Sequence, residues 1–90
     1  MSSFFQNLPF EAAERIEQFS RLAFELRESR KHLLRRYGVE DEASLLDLIR
    51  GGRVAEHPAY DHYLGARILA DTRQAVREEL KTLLNGVRPL

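Results

Sequence analysis

The sequence predicts an all-α fold: an antiparallel hairpin of two long helices with a short connecting helix, two such hairpins pairing into a four-helix bundle. Three observations predict it. Residues 10–37 contain no Gly or Pro, and residues 59–85 contain only Gly65. Apolar residues in the first of these stretches recur at alternating spacings of four and three, the signature of a helical seam. Pro9, Gly38, Gly51-Gly52, Pro58 and Gly86 punctuate the chain where helices would start and stop. The organisation expected is a tail over 1–8 and a single helical domain over 9–90, with helices at about 9–37, 41–50 and 58–84.

In the first helix Pro9 suits the opening turn and Asn7 is the natural cap. Ala12, Ile16, Phe19, Ala23, Leu26, Arg30, Leu33 and Tyr37 form the seam. At about 100° per residue, Ala12, Phe19, Leu22, Leu26, Leu33 and Tyr37 gather within about 80°, with Glu14, Gln18, Arg21, Glu25 and Glu28 opposite. Arg30 interrupts the seam, and a polar residue at one seam position commonly sets register or partner number. Gly38 is expected to end the helix in the left-handed conformation. At 1.5 Å per residue the helix would be about 43 Å long, more than a compact domain of this size spans.

The second helix has Glu40, Asp41 and Glu42 at its positive end and Leu45, Leu46, Leu48 and Ile49 as its apolar face, and Gly51-Gly52 stops it. The third opens at Pro58 and would be about 40 Å long, nearly matching the first. Leu69, Val76, Leu80 and Leu83 make one face of its second half. In its first half, Tyr60, Tyr63, Leu64, Ala66, Ile68, Leu69 and Ala70 point nearly all round, a pattern that calls for cover on more than one side. Gly65, Ala66 and Ala70 are small enough to admit another helix closely. Leu26 and Leu69, near the centres of their apolar faces, are the expected core centres.

The chain has 90 residues, 43% hydrophobic and 31% charged, with no Cys and no Trp, which fits one soluble globular domain. So small a domain hides only about two-thirds or less of its unfolded surface, so help from a second copy is expected. Without Cys there is no disulfide framework, thiolate metal site or thiol catalysis. No apolar run is long enough to span a membrane, and the N-terminus lacks a signal peptide's basic flank and apolar run. A cytoplasmic protein without a membrane role is expected. Fourteen basic residues balance fourteen acidic ones, which disfavours nucleic acid as a partner. Charge varies weakly along the chain: residues 1–38 carry seven basic and five acidic side chains, 39–58 two and five, and 59–90 five and four.

The densest candidate for chemistry is Glu56-His57-Pro58-Ala59-Tyr60-Asp61-His62-Tyr63. His57 and Asp61 are four apart, a spacing that suits two ligands of one metal, and His57 or His62 could act as a base. Set against this, a site needs a third protein ligand, and a helix start explains the same residues: Asp61 offsets the dipole and the tyrosines pack. Arg27, Arg30, Lys31, Arg35 and Arg36 form the one basic cluster. The negative end of the first helix and ion pairs to the acidic 40–42 segment account for it without a ligand. Gly51-Gly52-Arg53 lacks a phosphate-loop pattern, and no serine stands in a nucleophile setting. Phe24 projects away from the seam and, with Phe4 and Phe5, suggests a partner surface.

The function expected is therefore a non-enzymatic protein–protein interaction module acting as a homo-oligomeric helical bundle and needing no cofactor or metal. Its partner is itself and, beyond that, another protein. The interaction surface assigned is Phe4, Phe5, Phe24, Tyr60, Tyr63, Leu64 and Ile68. Two alternatives are a small antitoxin or regulatory partner and, in another class, a metal-dependent enzyme using His57, Asp61 and His62.

Overall fold

The computed structural model describes residues 9–86 and is all-helical over them. Helices α1 (Phe10–Arg35), α2 (Glu42–Arg50) and α3 (Glu56–Gly86) follow in order. Pro9 stands one place before α1 and not within it, with φ −57° and ψ 144°, and makes no side-chain cap bond. Its carbonyl accepts from the Ala13 N–H at 3.1 Å, starting the helical ladder. The expected cap Asn7, like Phe4 and Phe5, lies outside the described residues.

The regular turns of α1 end at Arg35, two residues short of the expected Tyr37. The chain there closes through Gly38 at φ +69°. The Gly38 N–H donates to the Arg35 carbonyl at 3.0 Å and the Val39 N–H to the Leu34 carbonyl at 3.3 Å, the two bonds of a Schellman ending. Its usual apolar contact is also made, since Val39 packs on the cluster containing Leu34. The same ending closes α2: Gly52 has φ +70°, and the Gly52 and Arg53 N–H groups donate to Ile49 and Leu48 at 3.1 and 2.9 Å. At the front of α2, Asp41 Oδ1 accepts from the Ser44 N–H at 2.8 Å, as the acidic cap requires. In α3, His57 is non-helical (φ −104°, ψ 124°), because the residue before a proline is driven out of the helical region. The regular helix then starts at Pro58, as expected.

α1 and α3 pack as the hairpin, and α2 lies mainly against α3. The body is long and thin, 58 × 18 × 16 Å. Its core sits at the closed end, where all three helices meet: Leu34 of α1, Leu45 of α2 and Ala66 of α3 are buried together, ringed by Leu33, Tyr37, Val39, Ile49 and Tyr63. Leu34 and Leu45 are the only large side chains fully buried among the described residues. Along the open half only two helices meet, so Ile16, Phe19, Leu26, Leu69, Val76, Leu80 and Leu83 are all half-buried. Leu26 and Leu69 are thus flank residues and not core centres. The small residues of α3 are used inside the hairpin: Ala66 is fully buried, and a Cβ on Gly65 would touch Leu33 Cδ1 at 3.5 Å.

Candidate functional site

Arg30, the polar member of the seam, reaches the start of α2. Its Nε and Nη2 donate to the two carboxylate oxygens of Glu42, each at 2.6 Å, with both side chains largely covered. This fork holds the Glu42 carboxyl below its ordinary value and raises the Arg30 guanidinium. Bonding from Ser44 likewise lowers Asp41. The seam arginine therefore registers α2 against α1, a partner within the chain.

The remaining basic cluster separates. Arg36 Nη1 lies 3.3 Å from His62 Nε2, while the Tyr37 hydroxyl bonds His62 Nδ1. A guanidinium can only donate, so Nε2 is the acceptor and Nδ1 carries the proton toward Tyr37. His62 is thus a bridge from α3 to the end of α1. His57 points elsewhere, in an exposed contact with Asp61 at 3.5 Å. Among the described residues no three His, Asp or Glu side chains gather as metal ligands.

Removal of these two histidines should separate their roles. His62→Ala leaves the half-buried Tyr37 hydroxyl without its partner and is expected to cost about 1–3 kcal/mol. His57→Ala is expected to stay within about 0.5 kcal/mol. Urea unfolding of both variants checks this, and equal midpoints would refute the bridging role.

The assigned interaction residues fall into two groups. Tyr60, Leu64 and Ile68, four apart, form a stripe on the side of α3 away from α1, and are 43%, 38% and 64% exposed. Phe24 is exposed on α1, with Arg27 over its ring at 5.9 Å. Tyr63 is instead half-buried against the core, stacked on Tyr60 at 5.8 Å and capped by Arg67 at 5.9 Å. A groove of about 340 Å³ between α2 and α3 is bordered by Ile49, Arg50, Glu56, Tyr60, Tyr63 and Arg67.

Sequence reasoning missed a second set of residues. Arg73 and Arg77 of α3 border one groove with Arg27 of α1 on the open half of the hairpin. Their i, i+4 spacing was visible, but the partner 46 residues earlier was not. Leu22, expected within the 80° apolar sector of the first helix, is 38% exposed.

No helix of the described residues is long and apolar enough to cross a membrane. No curated protein and no solved structure matches the chain. The model of the uncharacterized protein MJ0235 family matches residues 12–88, most of the chain, and the chain belongs to that family.

Proposed function

We propose that the protein is a non-enzymatic interaction module whose hairpins pair as a homodimeric four-helix bundle. The observation that carries this reading is the unfinished open half, where the apolar seam of both long helices stays half-buried. At about 100° per residue, Leu22, Leu26 and Leu33 share one flank of α1, and Leu69, Val76 and Leu83 the matching flank of α3. The antiparallel arrangement puts both flanks on the same face of the hairpin. The α2 helix covers part of the opposite face, and among the described residues nothing covers this one.

Balanced charge favours packing with a like surface over binding a polyanionic nucleic-acid backbone.

Light scattering at micromolar concentration should give twice the 10.5 kDa chain mass. Leu22→Asp should give a monomer that keeps its helical content, because residue 22 is already partly solvated in the single chain. A wild-type monomer would overturn the proposal. Leu64→Asp decides whether the Tyr60, Leu64 and Ile68 stripe belongs to this contact: loss of the dimer places it inside, an intact dimer outside.

A further inference from the structure

We propose that Arg27, Arg73 and Arg77 form a binding site for a small phosphate-bearing ligand, on the hairpin face opposite the leucine flank. The groove there has a volume of about 310 Å³ and is bordered by Ser20, Phe24, Arg27, Arg73, Arg77 and Leu80, with no carboxylate in its lining. Three guanidinium groups drawn from two helices repel one another unless an anion joins them. Nothing in the balanced composition obliges this, since fourteen acidic side chains are available. Of the nearby carboxylates, Glu78 accepts from Gln74 Nε2 at 2.8 Å. Glu28 touches Arg27 at 3.4 Å, an exposed contact shared with Lys31 at 3.7 Å, and such contacts are weak.

Arg73 is the least exposed of the three. Its Nε is buried, and among the described residues it has no hydrogen-bond partner. A buried N–H normally finds an acceptor, and its lack costs the full desolvation of the group. The Nε itself is closed to solvent, so an oxyanion in the groove is bonded by the outer Nη groups of the arginines and balances their charge.

The ligand's class follows from the donors. Guanidinium groups match pairs of oxygens on one anion. Three positive charges call for a group with two or more negative ones, which a phosphate ester or pyrophosphate provides and a single carboxylate does not. The Ser20 hydroxyl can bond a further oxygen, and Phe24 and Leu80 offer apolar cover to whatever carries the phosphate. The site is too short to follow a nucleic-acid backbone.

The test uses the full chain with pyrophosphate as probe and citrate as comparator at equal ionic strength. Pyrophosphate should bind by calorimetry and raise the melting temperature, as any ligand of the folded state does. Arg77→Gln and Arg73→Gln should each weaken binding about tenfold or more, the worth of a charge-assisted bond. Arg21→Gln, altering an arginine paired with Glu17 at 3.6 Å, should leave it unchanged. Arg77 is exposed, so its variant should fold even where the Arg73 variant is destabilised. No binding, binding indifferent to Arg77→Gln, or citrate bound as tightly as pyrophosphate would each overturn the assignment. So would a change of oligomeric mass in Arg77→Gln, which would make the groove a contact between copies. The site does not rest on the dimer, and the leucine-flank variants leave its residues untouched.

Discussion

Leu45→Asp is expected to leave the chain unfolded at room temperature, with its helical circular dichroism lost. Leu45 is 0% exposed and lies between Leu34 and Ala66, where the three helices meet. The substitution removes a buried leucine, worth about 2–5 kcal/mol even as a change to alanine. It also places a carboxylate where no described side chain can pair with it, at a further cost of several kcal/mol. A whole domain is held by about 5–15 kcal/mol, and a hairpin with two fully buried large side chains stands at the low end of that range. By contrast, Leu26→Asp and Leu69→Asp put the new charge on half-buried flanks, where it can turn to water. They should keep more structure than Leu45→Asp. Retention of native-like melting by Leu45→Asp would show that the closed-end core is misassigned.

Breaking the Arg30–Glu42 fork is expected to have the next largest effect. Arg30→Ala leaves a largely covered carboxylate with its two acceptors unpaired, and Glu42→Ala does the same to the guanidinium. Each should cost about 1.5–3 kcal/mol, the range of hydrogen bonds to charged groups. The double variant should cost less than the sum, and the cycle measures the coupling. Additive single effects would mean that the two groups do not act together.

The pH dependence follows from the direction of the shift. Glu42 is held below its ordinary value by Arg30, so the folded state binds this proton less readily than the unfolded one. Its stabilisation is complete above about pH 4.5, the ordinary value, and is lost as pH falls through the lowered folded value. Asp41, lowered by its bonds from Ser44, acts in the same direction. Arg30 is raised from an already high value, so it stays charged throughout this range. Wild type should therefore lose stability on acidification more steeply than Glu42→Gln. Parallel pH profiles of the two proteins would refute the assignment.

The exposure of the assigned interaction residues was only partly readable beforehand. The all-round apolar pattern of residues 60–70 pointed to Tyr60, Leu64 and Ile68, and these are exposed. Tyr63 belongs to the same apolar stretch, yet it is half-buried against the core because α2 lies on its side of α3. Arg30 was recognisable as an exception to the seam, but nothing local named Glu42 as its partner. The Arg27, Arg73 and Arg77 groove lay further out of reach, since an arginine on one helix shows nothing of what faces it from another.

The sequence by itself determined the three helices, their ends to within about two residues, the left-handed glycine at 38, the stop at Gly51-Gly52 and an acidic cap within residues 40–42. These depend on residues within a turn of one another, where backbone sterics and capping bonds act. Tertiary structure alone decided which apolar residues are core. Leu34 lies off the centre of its seam and is fully buried, whereas Leu26 lies near that centre and is not. The reason is cover: among the described residues a large side chain is fully buried only where a third helix closes over the hairpin, and α2 does so at the closed end, above Leu34.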